Sequence, residues 1–417
     1  MQPGLQYVPP SFLHLLTLGS LIYFLNVAGW MFDNVLRAGL IGQILTGMIY
    51  GPPLGGIIPQ TWLNTLVALG YLGLIFIVFE GGLTTDLSLV LPSLLLSCTV
   101  ATTGVVLPIA LSILLLTVGF KYTLLQGFSA GASLCSTSLG TTFAILSSNA
   151  SGGKGLDLRR TRLGTVLLSA AIGDDIVGLI MAAIIPSITG NGKFTWLMVV
   201  RPVIVAIAMS IVIPVLNIYV MHPVFHNIFV PRVQPKLSRK NQQLFYFSLL
   251  VIILSGLVTA AFYAGTSQLL GAYIAGCLCS SLSHPPPPLI TFHETFDAYI
   301  SPLLSSFLSS LFFCTIGFAI PFVPLWHPRV LWRGILYSIL MTNRENRRRE
   351  LGRRVVLGLA LVARGEVALL VAALARPGLG EEVYLIVMWA ILVCTVLGAV
   401  SVGVLFRVWA KVPPTLR

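Results

Sequence analysis

The chain has few charged residues for its length. Asp, Glu, Lys and Arg make up 9% of the 417 residues, only 13 residues are acidic, and 56% are hydrophobic. The mean hydropathy is +0.93. Charged residues make up roughly a quarter of a soluble globular domain, so this composition excludes that class. It predicts a polytopic helical membrane protein.

The sequence shows no sign of disulfide or metal chemistry. All six cysteines lie in apolar stretches, without a disulfide framework or a zinc-ligand spacing. We therefore expect no cofactor. The net charge of +12 comes from basic residues gathered in a few short loops. That pattern indicates membrane topology and gives no reason to expect nucleic-acid binding.

Hydrophobic runs predict thirteen membrane spans. They lie approximately at 11–32, 37–57, 62–83, 91–118, 122–148, 160–186, 196–220, 243–264, 267–283, 299–322, 327–342, 354–378 and 381–408. If the N-terminus is outside, eighteen of the twenty-five Lys and Arg residues face the inside. This distribution fits the positive-inside rule and predicts a cytoplasmic C-terminus.

Thirteen spans divide into six, a single middle span and six more. Because of the odd middle span, the second six cross the membrane in the opposite orientation to the first six. Inverted repeats of this kind are common in transporters. Spans five and twelve would be equivalent, and both carry small or polar residues at mid-depth, around Cys135–Thr142 and Ala363–Val367. Interrupted spans in matching positions of two halves predict a binding site.

Two adjacent carboxylates, Asp174 and Asp175, stand near the middle of an apolar run from about Leu163 to Ile185. A carboxylate at the centre of a spanning helix costs on the order of 2.5–3.5 kcal/mol. Neighbours on a helix point about 100° apart, so one can face a cavity while the other faces a partner helix. We interpret the pair as part of an ion or proton path; burial for packing alone is the alternative.

Other charged residues also fall within predicted spans, among them Arg333, Arg364 and Glu366. A buried Arg requires a counter-charge because it cannot lose its proton. We expect Arg333 to pair with one of the two aspartates; an Arg that reaches the membrane surface from the edge of its span is the alternative. Glu366 is two residues from Arg364, and we expect a structural ion pair between them at the break in span twelve.

Seven short stretches run in order along nearly the whole chain. They are Gly42–Gly47 with Gly51 and Pro52, Phe79–Leu83, Thr137 with Ser138, Gly173–Gly178, Gly271–Gly276, Phe312 and Phe313 with Gly317, and Arg364–Leu369. Each alone is a weak signal. Together they resemble the monovalent cation:proton antiporter superfamily, nearer its cation:proton antiporter-2 branch, which includes proteins similar to sodium/hydrogen exchangers.

The resemblance implies an all-α polytopic membrane protein of about thirteen transmembrane helices. The implied fold is an inverted-repeat antiporter fold with two crossing broken helices, forming a single exchanger domain over 1–417. It implies a homodimer, and it divides the chain into three parts. These are a dimer (scaffold) domain at 11–83 and 243–322, a linker helix at 196–220, and an ion-translocating core at 91–186 and 327–408.

The resemblance also implies roles for individual residues. Asp175 resembles the family's ion- and proton-binding carboxylate. Asp174 resembles the acid that pairs with a basic residue on the eleventh helix, here Arg333. Thr137 and Ser138 fall at the crossing of the broken helices. Arg364 and Glu366 would compensate the charge of the helix ends there.

We therefore expect a secondary antiporter, not an enzyme, that exchanges Na⁺, Li⁺ or K⁺ for H⁺ across a lipid bilayer. The alternative is a passive ion channel or a cation-coupled organic-anion symporter on a related inverted-repeat fold. An intramembrane aspartyl protease is disfavoured, because adjacent aspartates on one helix cannot face each other as a catalytic dyad.

Overall fold

The structure is a computed structural model that describes residues 9, 11–36, 38–85, 94–137, 162–189, 195–225, 227, 238–283, 290–346 and 364–410. Every regular element within these ranges is a helix. The all-α class predicted from the composition is therefore confirmed.

Fourteen α-helices of four residues or more, numbered here in chain order, make up the described fold. They are α1 (Phe12–Leu36), α2 (Gly39–Tyr50), α3 (Gln60–Leu83), α4 (Leu94–Ile113), α5 (Leu124–Ser133), α6 (Arg162–Thr189), α7 (Leu197–Leu216), α8 (Arg239–Ala264), α9 (Gln268–Leu282), α10 (Phe292–Tyr299), α11 (Ser309–Ala319), α12 (Phe322–Leu325), α13 (Pro328–Asn346) and α14 (Glu366–Ala410). Wider π-helical turns extend α4 over Leu114–Gly119 and α7 over Asn217–Met221, and another, Leu304–Leu308, leads into α11.

Seven helices in the described ranges are long and apolar enough to cross a membrane. The chain is therefore an integral, multi-pass membrane protein, as predicted. The count of thirteen spans stays a prediction, because parts of the fifth and twelfth predicted spans, 138–148 and 354–363, lie outside the described residues.

The helices pack in two groups. The first helix group contains α1, α2, α3, α8, α9 and α11, and the second helix group contains α4, α5, α6, α13 and α14. Contacts within each group far outweigh contacts between them, which are made chiefly where α9 meets α6 and α11 meets α14. Helix α7 packs on both α6 and α9. Asn217 in its π-helical turn donates to Ser281 Oγ at 2.7 Å, which fixes α7 to α9.

Glycines allow close packing in the first helix group, where lipid-embedded helices gain stability from backbone approach. A Cβ on Gly82 of α3 would collide with the backbone carbonyl of Tyr273 on α9. A Cβ on Gly276 of α9 would in turn collide with the backbone carbonyl of Phe79 on α3. The two helices therefore cross with their backbones in contact and hold each other in a fixed register.

Helix α14 changes direction at Gly380, which adopts a left-handed φ of 72° that favours glycine. Gln126, in the first turn of α5, donates from Nε2 to Leu379 O at 2.7 Å and supports this bend. The same Gln126 forms a capping box with Thr123 that begins α5. The beginning of α5 is thus fixed against the bend in α14.

Candidate ion site

Two interruptions of helical structure meet in the second helix group. Helix α5 ends at Ser133, and the described residues after it, Leu134–Thr137, are not helical. Helix α14 begins at Glu366, after the non-helical residues Arg364 and Gly365. Backbone groups freed in this way are tolerated at membrane depth only where protein or water surrounds them. Non-helical residues thus occur in both stretches where the sequence predicted interruptions, and the paths after Thr137 and before Arg364 lie outside the described residues.

Gly178 on α6 lies between the two interruptions. A Cβ at this position would lie 2.8 Å from Val367 Cγ1 and 3.0 Å from Ser136 Cβ. Gly178 is therefore in close contact with both the segment after α5 and the first turn of α14. Since Asp174 and Asp175 precede it by about one helical turn, they lie on the part of α6 that faces this junction.

Asp175 is buried, with 4% of its surface exposed. Its Oδ1 accepts a hydrogen bond of 2.7 Å from Ser136 Oγ. Two other carboxyl groups belong to the same junction: Asp174 is its neighbour on α6, and Glu366 precedes the Val367 that contacts Gly178. The site thus concentrates acidic oxygen atoms around one mid-helix carboxylate, an arrangement that a bound proton or cation would stabilise.

Arg364 supplies positive charge at the junction. Its guanidinium is buried and donates from Nη1 to Ser136 O at 3.1 Å. Its own backbone carbonyl accepts from Thr395 Oγ1 at 2.7 Å, which ties the interruption to the second half of α14. Ser136 therefore bonds to Asp175 through its hydroxyl and to Arg364 through its carbonyl.

Asp174 points about 100° around the helix axis from Asp175, as its neighbour on a helix. A Cβ on Gly104 of α4 would lie 2.9 Å from Asp174 Oδ1, so this carboxylate packs against α4. Thr137 is also buried, and within the described part of the chain its Oγ1 has no hydrogen-bond partner. Ser138, the other hydroxyl predicted at the crossing, lies outside the described residues.

The structure corrects the expected partner of Arg333. Arg333 Nη1 forms an ion pair of 2.9 Å with Glu382 and donates to Tyr122 Oη at 2.5 Å. Its guanidinium also lies over the rings of Phe120 and Trp332, with Cζ 4.9 and 5.8 Å from their centroids. The physical reason is its place in the helix: α13 begins at Pro328, so Arg333 stands in the second turn and reaches the end of the membrane span.

Tyr122 belongs to the cluster of side chains around Arg333. It lies outside the spans, between the end of the α4 extension at Gly119 and the start of α5. Burial, together with the hydrogen bond to Glu382 and the charge of that carboxylate, raises the pKa of Tyr122 to about 12, while Arg333 acts in the opposite direction. The phenol therefore stays protonated at physiological pH.

The expected ion pair between Arg364 and Glu366 is likewise not formed. The ion pairs found in the described ranges are His293–Asp297, Arg333–Glu382 and Arg376–Glu381. Arg364 donates from Nη1 to a backbone carbonyl, and Glu366 is the first residue of α14. The guanidinium therefore compensates the interrupted segment after α5, and Glu366 adds its charge to the surroundings of Asp175.

Ser136 is the site residue that sequence reasoning missed. It belongs to a run of hydroxyl and thiol side chains, Cys135-Ser-Thr-Ser138, in which spacing alone does not indicate the member that faces α6. The non-helical backbone after Ser133 decides this orientation. The sequence signal that could have helped is Gly178, because a glycine one turn after two aspartates permits a neighbouring segment to come near.

A buried carboxylate in the middle of a helix, beside two non-helical segments, is the arrangement that ion sites of transporters have. The sequence matches the family description "Sodium/hydrogen exchanger, transmembrane" over residues 21–408, and the chain belongs to that family. It is 25% identical to the probable Na⁺/H⁺ antiporter GerT of Bacillus cereus, over 84% of this chain and 87% of that protein. It is 24% identical to the Na⁺/H⁺-K⁺ antiporter GerN of the same organism, over 83% and 84%.

A solved structure has the same fold. The sodium proton antiporter MjNhaP1 from Methanocaldococcus jannaschii matches with a TM-score of 0.61 and 17% identity, covering 94% of this chain and 98% of that one. The antiporter fold expected from the sequence motifs is thereby confirmed.

Proposed function

We propose that this protein is a secondary antiporter that exchanges a monovalent cation, Na⁺, Li⁺ or K⁺, for H⁺ by alternating access. The observation that carries the proposal is Asp175: a buried carboxylate at mid-membrane, hydrogen-bonded to Ser136 where two helix interruptions meet. The names of its relatives support the reaction, since GerT and GerN are called Na⁺/H⁺ and Na⁺/H⁺-K⁺ antiporters.

One carboxylate suffices to couple the two ions. Asp175 holds a proton by a covalent O–H bond or a cation by electrostatic attraction, and either occupant cancels the charge that attracts the other. Each cation that binds must therefore displace a proton, and each proton must displace a cation. Exchange follows if the empty, charged carboxylate crosses between the two faces much more slowly than the occupied one.

The surrounding oxygen atoms suit a hard cation. Such ions take carboxylate, hydroxyl and backbone carbonyl ligands. Ser136 Oγ already bonds to Asp175, and the buried Thr137 Oγ1, which lacks a partner in the described ranges, is available as a second hydroxyl ligand. Ser138 remains a proposed ligand. Backbone carbonyls of the non-helical segment Leu134–Thr137 would complete the shell, with that of Ser136 shared with Arg364.

Asp174 and Arg364 hold the site in place under this proposal. Asp174 packs towards α4 and adds negative charge that favours a cation near Asp175. Arg364 keeps the segment after α5 in position through Ser136 O, and Glu366 acts as a further acid near the carrier. Arg333 has no part in the ion site.

The two helix groups suggest the moving parts. The second helix group, which largely coincides with the predicted 91–186 and 327–408, would be the ion-translocating core that carries Asp175. The first helix group, which largely coincides with the predicted 11–83 and 243–322, would be the scaffold and would form a homodimer. Helix α7, in the predicted linker 196–220, packs on both groups and would join them. The N-terminus would lie outside and the C-terminus in the cytoplasm, as the distribution of Lys and Arg indicates.

Purified protein in proteoliposomes under a clamped voltage tests the reaction. We expect an imposed Na⁺, Li⁺ or K⁺ gradient to drive protons in the opposite direction. A channel would conduct the cation without moving protons, and a symporter would move cation and organic anion together. Either result would contradict antiport.

A further inference from the structure

A hydrogen bond joins the two helix groups where α11 meets α14. Arg376, on α14 of the second helix group, donates from Nη1 to Ala319 O at 2.7 Å. Ala319 is the last residue of α11, which belongs to the first helix group. The last four carbonyls of a helix have no partner within it, and a cation is favourable at this negative end of the helix dipole. The bond thus satisfies a carbonyl of one group with a guanidinium of the other.

The acceptor is fixed in the first helix group. Gly317, two residues before Ala319, packs so closely on α2 that a Cβ there would collide with the backbone carbonyl of Ile44. A Cβ on Gly47 of α2 would in turn collide with the backbone carbonyl of Cys314 on α11. Because backbone packs directly on backbone, the end of α11 keeps its place against α2. The position of Ala319 O therefore follows the first helix group.

The donor is fixed in the second helix group. Glu381 Oε1 accepts from Arg376 Nε at 3.0 Å and from Nη2 at 2.8 Å, and Glu381 Oε2 accepts from Nη2 at 3.0 Å. This bidentate contact uses one edge of the planar guanidinium and leaves Nη1 for Ala319. The guanidinium Cζ also lies 5.1 Å from the centroid of the buried Tyr384 ring. Arg376 and Glu381 stand on either side of the bend at Gly380, so the bend brings them together.

We propose that Arg376 is a latch between the two helix groups, which stabilises the conformation seen here over one in which the second helix group has moved relative to the first. This inference rests on the proposed function, in which alternating access requires such a movement. Each partner is held by its own group, so a displacement that lengthens the bond by about 1 Å takes Nη1 and Ala319 O out of hydrogen-bond range. Glu381 is the positioning residue that directs Nη1 towards Ala319.

The neighbouring ion pair offers a comparison within the same end of the fold. Arg333 pairs with Glu382, which is next to Glu381 in the chain, and it also donates to Tyr122. Arg333 is on α13 and Glu382 is on α14, and both helices belong to the second helix group. The Arg333–Glu382 pair therefore moves with that group as one unit, whereas the bond of Arg376 to Ala319 must break.

The primary test is Arg376→Gln in protein that carries one spin label on each helix group. Leu54→Cys provides a label in the exposed connection between α2 and α3, and Arg329→Cys provides one in the exposed first turn of α13. In a variant otherwise free of cysteine, distance distributions from pulsed electron paramagnetic resonance give the ratio of protein with the label separation of this structure to protein with another separation.

Loss of a hydrogen bond from a charged donor corresponds to a change of about 10-fold or more in an equilibrium constant. We therefore expect Arg376→Gln to lower the ratio of the conformation seen here to the displaced one by that factor. An unchanged ratio would overturn the proposal.

Arg333→Gln is the matched control. It makes the same substitution in the neighbouring ion pair, which lies within the second helix group, so its ratio should equal that of wild type. Equal shifts in Arg333→Gln and Arg376→Gln would overturn the proposal, because they would follow from the loss of any positive charge at this end of the fold.

Glu381→Ala tests whether Glu381 acts through Arg376. Alone, it should lower the ratio in the same direction as Arg376→Gln, because Nη1 is no longer directed towards Ala319. Added to Arg376→Gln, it should have no further effect. Additive shifts would contradict the positioning role of Glu381.

If Arg376→Gln does not fold, the comparison of Glu381→Ala with Glu382→Ala decides, and equal ratios in these two variants would overturn the proposal. Failure of the proposed function gives a different result. Wild-type protein would then show no cation-driven proton movement, whereas the ratio of label separations is measured without transport.

Discussion

Ser136 donates its hydroxyl proton to Asp175 Oδ1 across 2.7 Å, and the same residue accepts from Arg364 through its carbonyl. These two bonds join three separate segments: the stretch after α5, the middle of α6 and the beginning of α14. The binding of a proton or a cation to Asp175 therefore acts directly on both non-helical segments.

Ser136→Ala should weaken the apparent affinity for the cation. The substitution removes a hydrogen bond to a charged group, worth about 1.5–3 kcal/mol, and a ligand oxygen. Without that bond, the proton competes better for the carboxylate, so we expect the KM for Na⁺ to rise about 10-fold or more. The measurement is exchange in proteoliposomes at several cation concentrations.

The control for this variant is Ser133→Ala. Ser133 is equally buried three residues earlier, but its hydroxyl donates to Ser129 O within its own helix. Its KM should match wild type. Equal effects of the two substitutions would mean that the loss reflects general packing around α5, contrary to the role assigned to Ser136.

Much of this site could be predicted from the sequence. Two carboxylates in an apolar run identify α6, because charged side chains within a membrane have a high free-energy cost and mark functional sites. Small and polar residues at matching positions identify the interruptions before Glu366 and after Ser133. The choice among neighbouring hydroxyls could not be predicted, because it depends on the path of a non-helical backbone that has no fixed period.

Gly178→Ala should disturb the junction of the two interruptions. The new methyl group would lie within 3.0 Å of Ser136 Cβ and 2.8 Å of Val367 Cγ1. Overpacking of this kind costs about 1–3 kcal/mol. We expect a lower melting temperature in detergent and slower exchange.

Gly256→Ala provides the comparison for Gly178→Ala. Gly256 lies within α8, and a Cβ there would meet nothing within 4 Å. Alanine is favoured over glycine inside a helix by about 1 kcal/mol, so this variant should be at least as stable as wild type. Two variants with the same loss of stability and rate would show that Gly178 is not a special contact.

Arg333→Ala should lower stability without changing the KM for the cation. It removes a partly exposed ion pair with Glu382, worth about 0–1 kcal/mol, and cation–π contacts of about 0.5–1 kcal/mol each. In a double-mutant cycle of melting temperature, Arg333→Ala and Glu382→Gln should be non-additive. Arg333→Ala and Asp174→Asn should be additive, since distant sites act independently. Non-additive losses of melting temperature for Arg333→Ala and Asp174→Asn would instead indicate that Arg333 pairs with Asp174, contrary to the structure.

Arg329→Ala is the matched control for Arg333. Arg329 lies one turn earlier on α13 and is exposed, so its loss should leave the melting temperature close to that of wild type.

The sequence did not reveal this difference between Arg329 and Arg333. The eleventh hydrophobic run is short, so the depth of Arg333 depends on where the helix begins, and its partner Glu382 follows a bend at Gly380 that depends on tertiary contacts.

The most direct measurement is cation-driven proton movement by Asp175→Asn in proteoliposomes, compared with wild type and with Asp175→Glu. Asparagine keeps the shape of the side chain but holds neither a titrating proton nor a negative charge. We expect exchange to be abolished in Asp175→Asn while the protein still inserts and melts cooperatively. Asp175→Glu, which keeps a carboxylate, should retain measurable exchange. Proton movement by Asp175→Asn at the wild-type rate, driven by the same cation gradient, would contradict the assignment of Asp175 as the carrier.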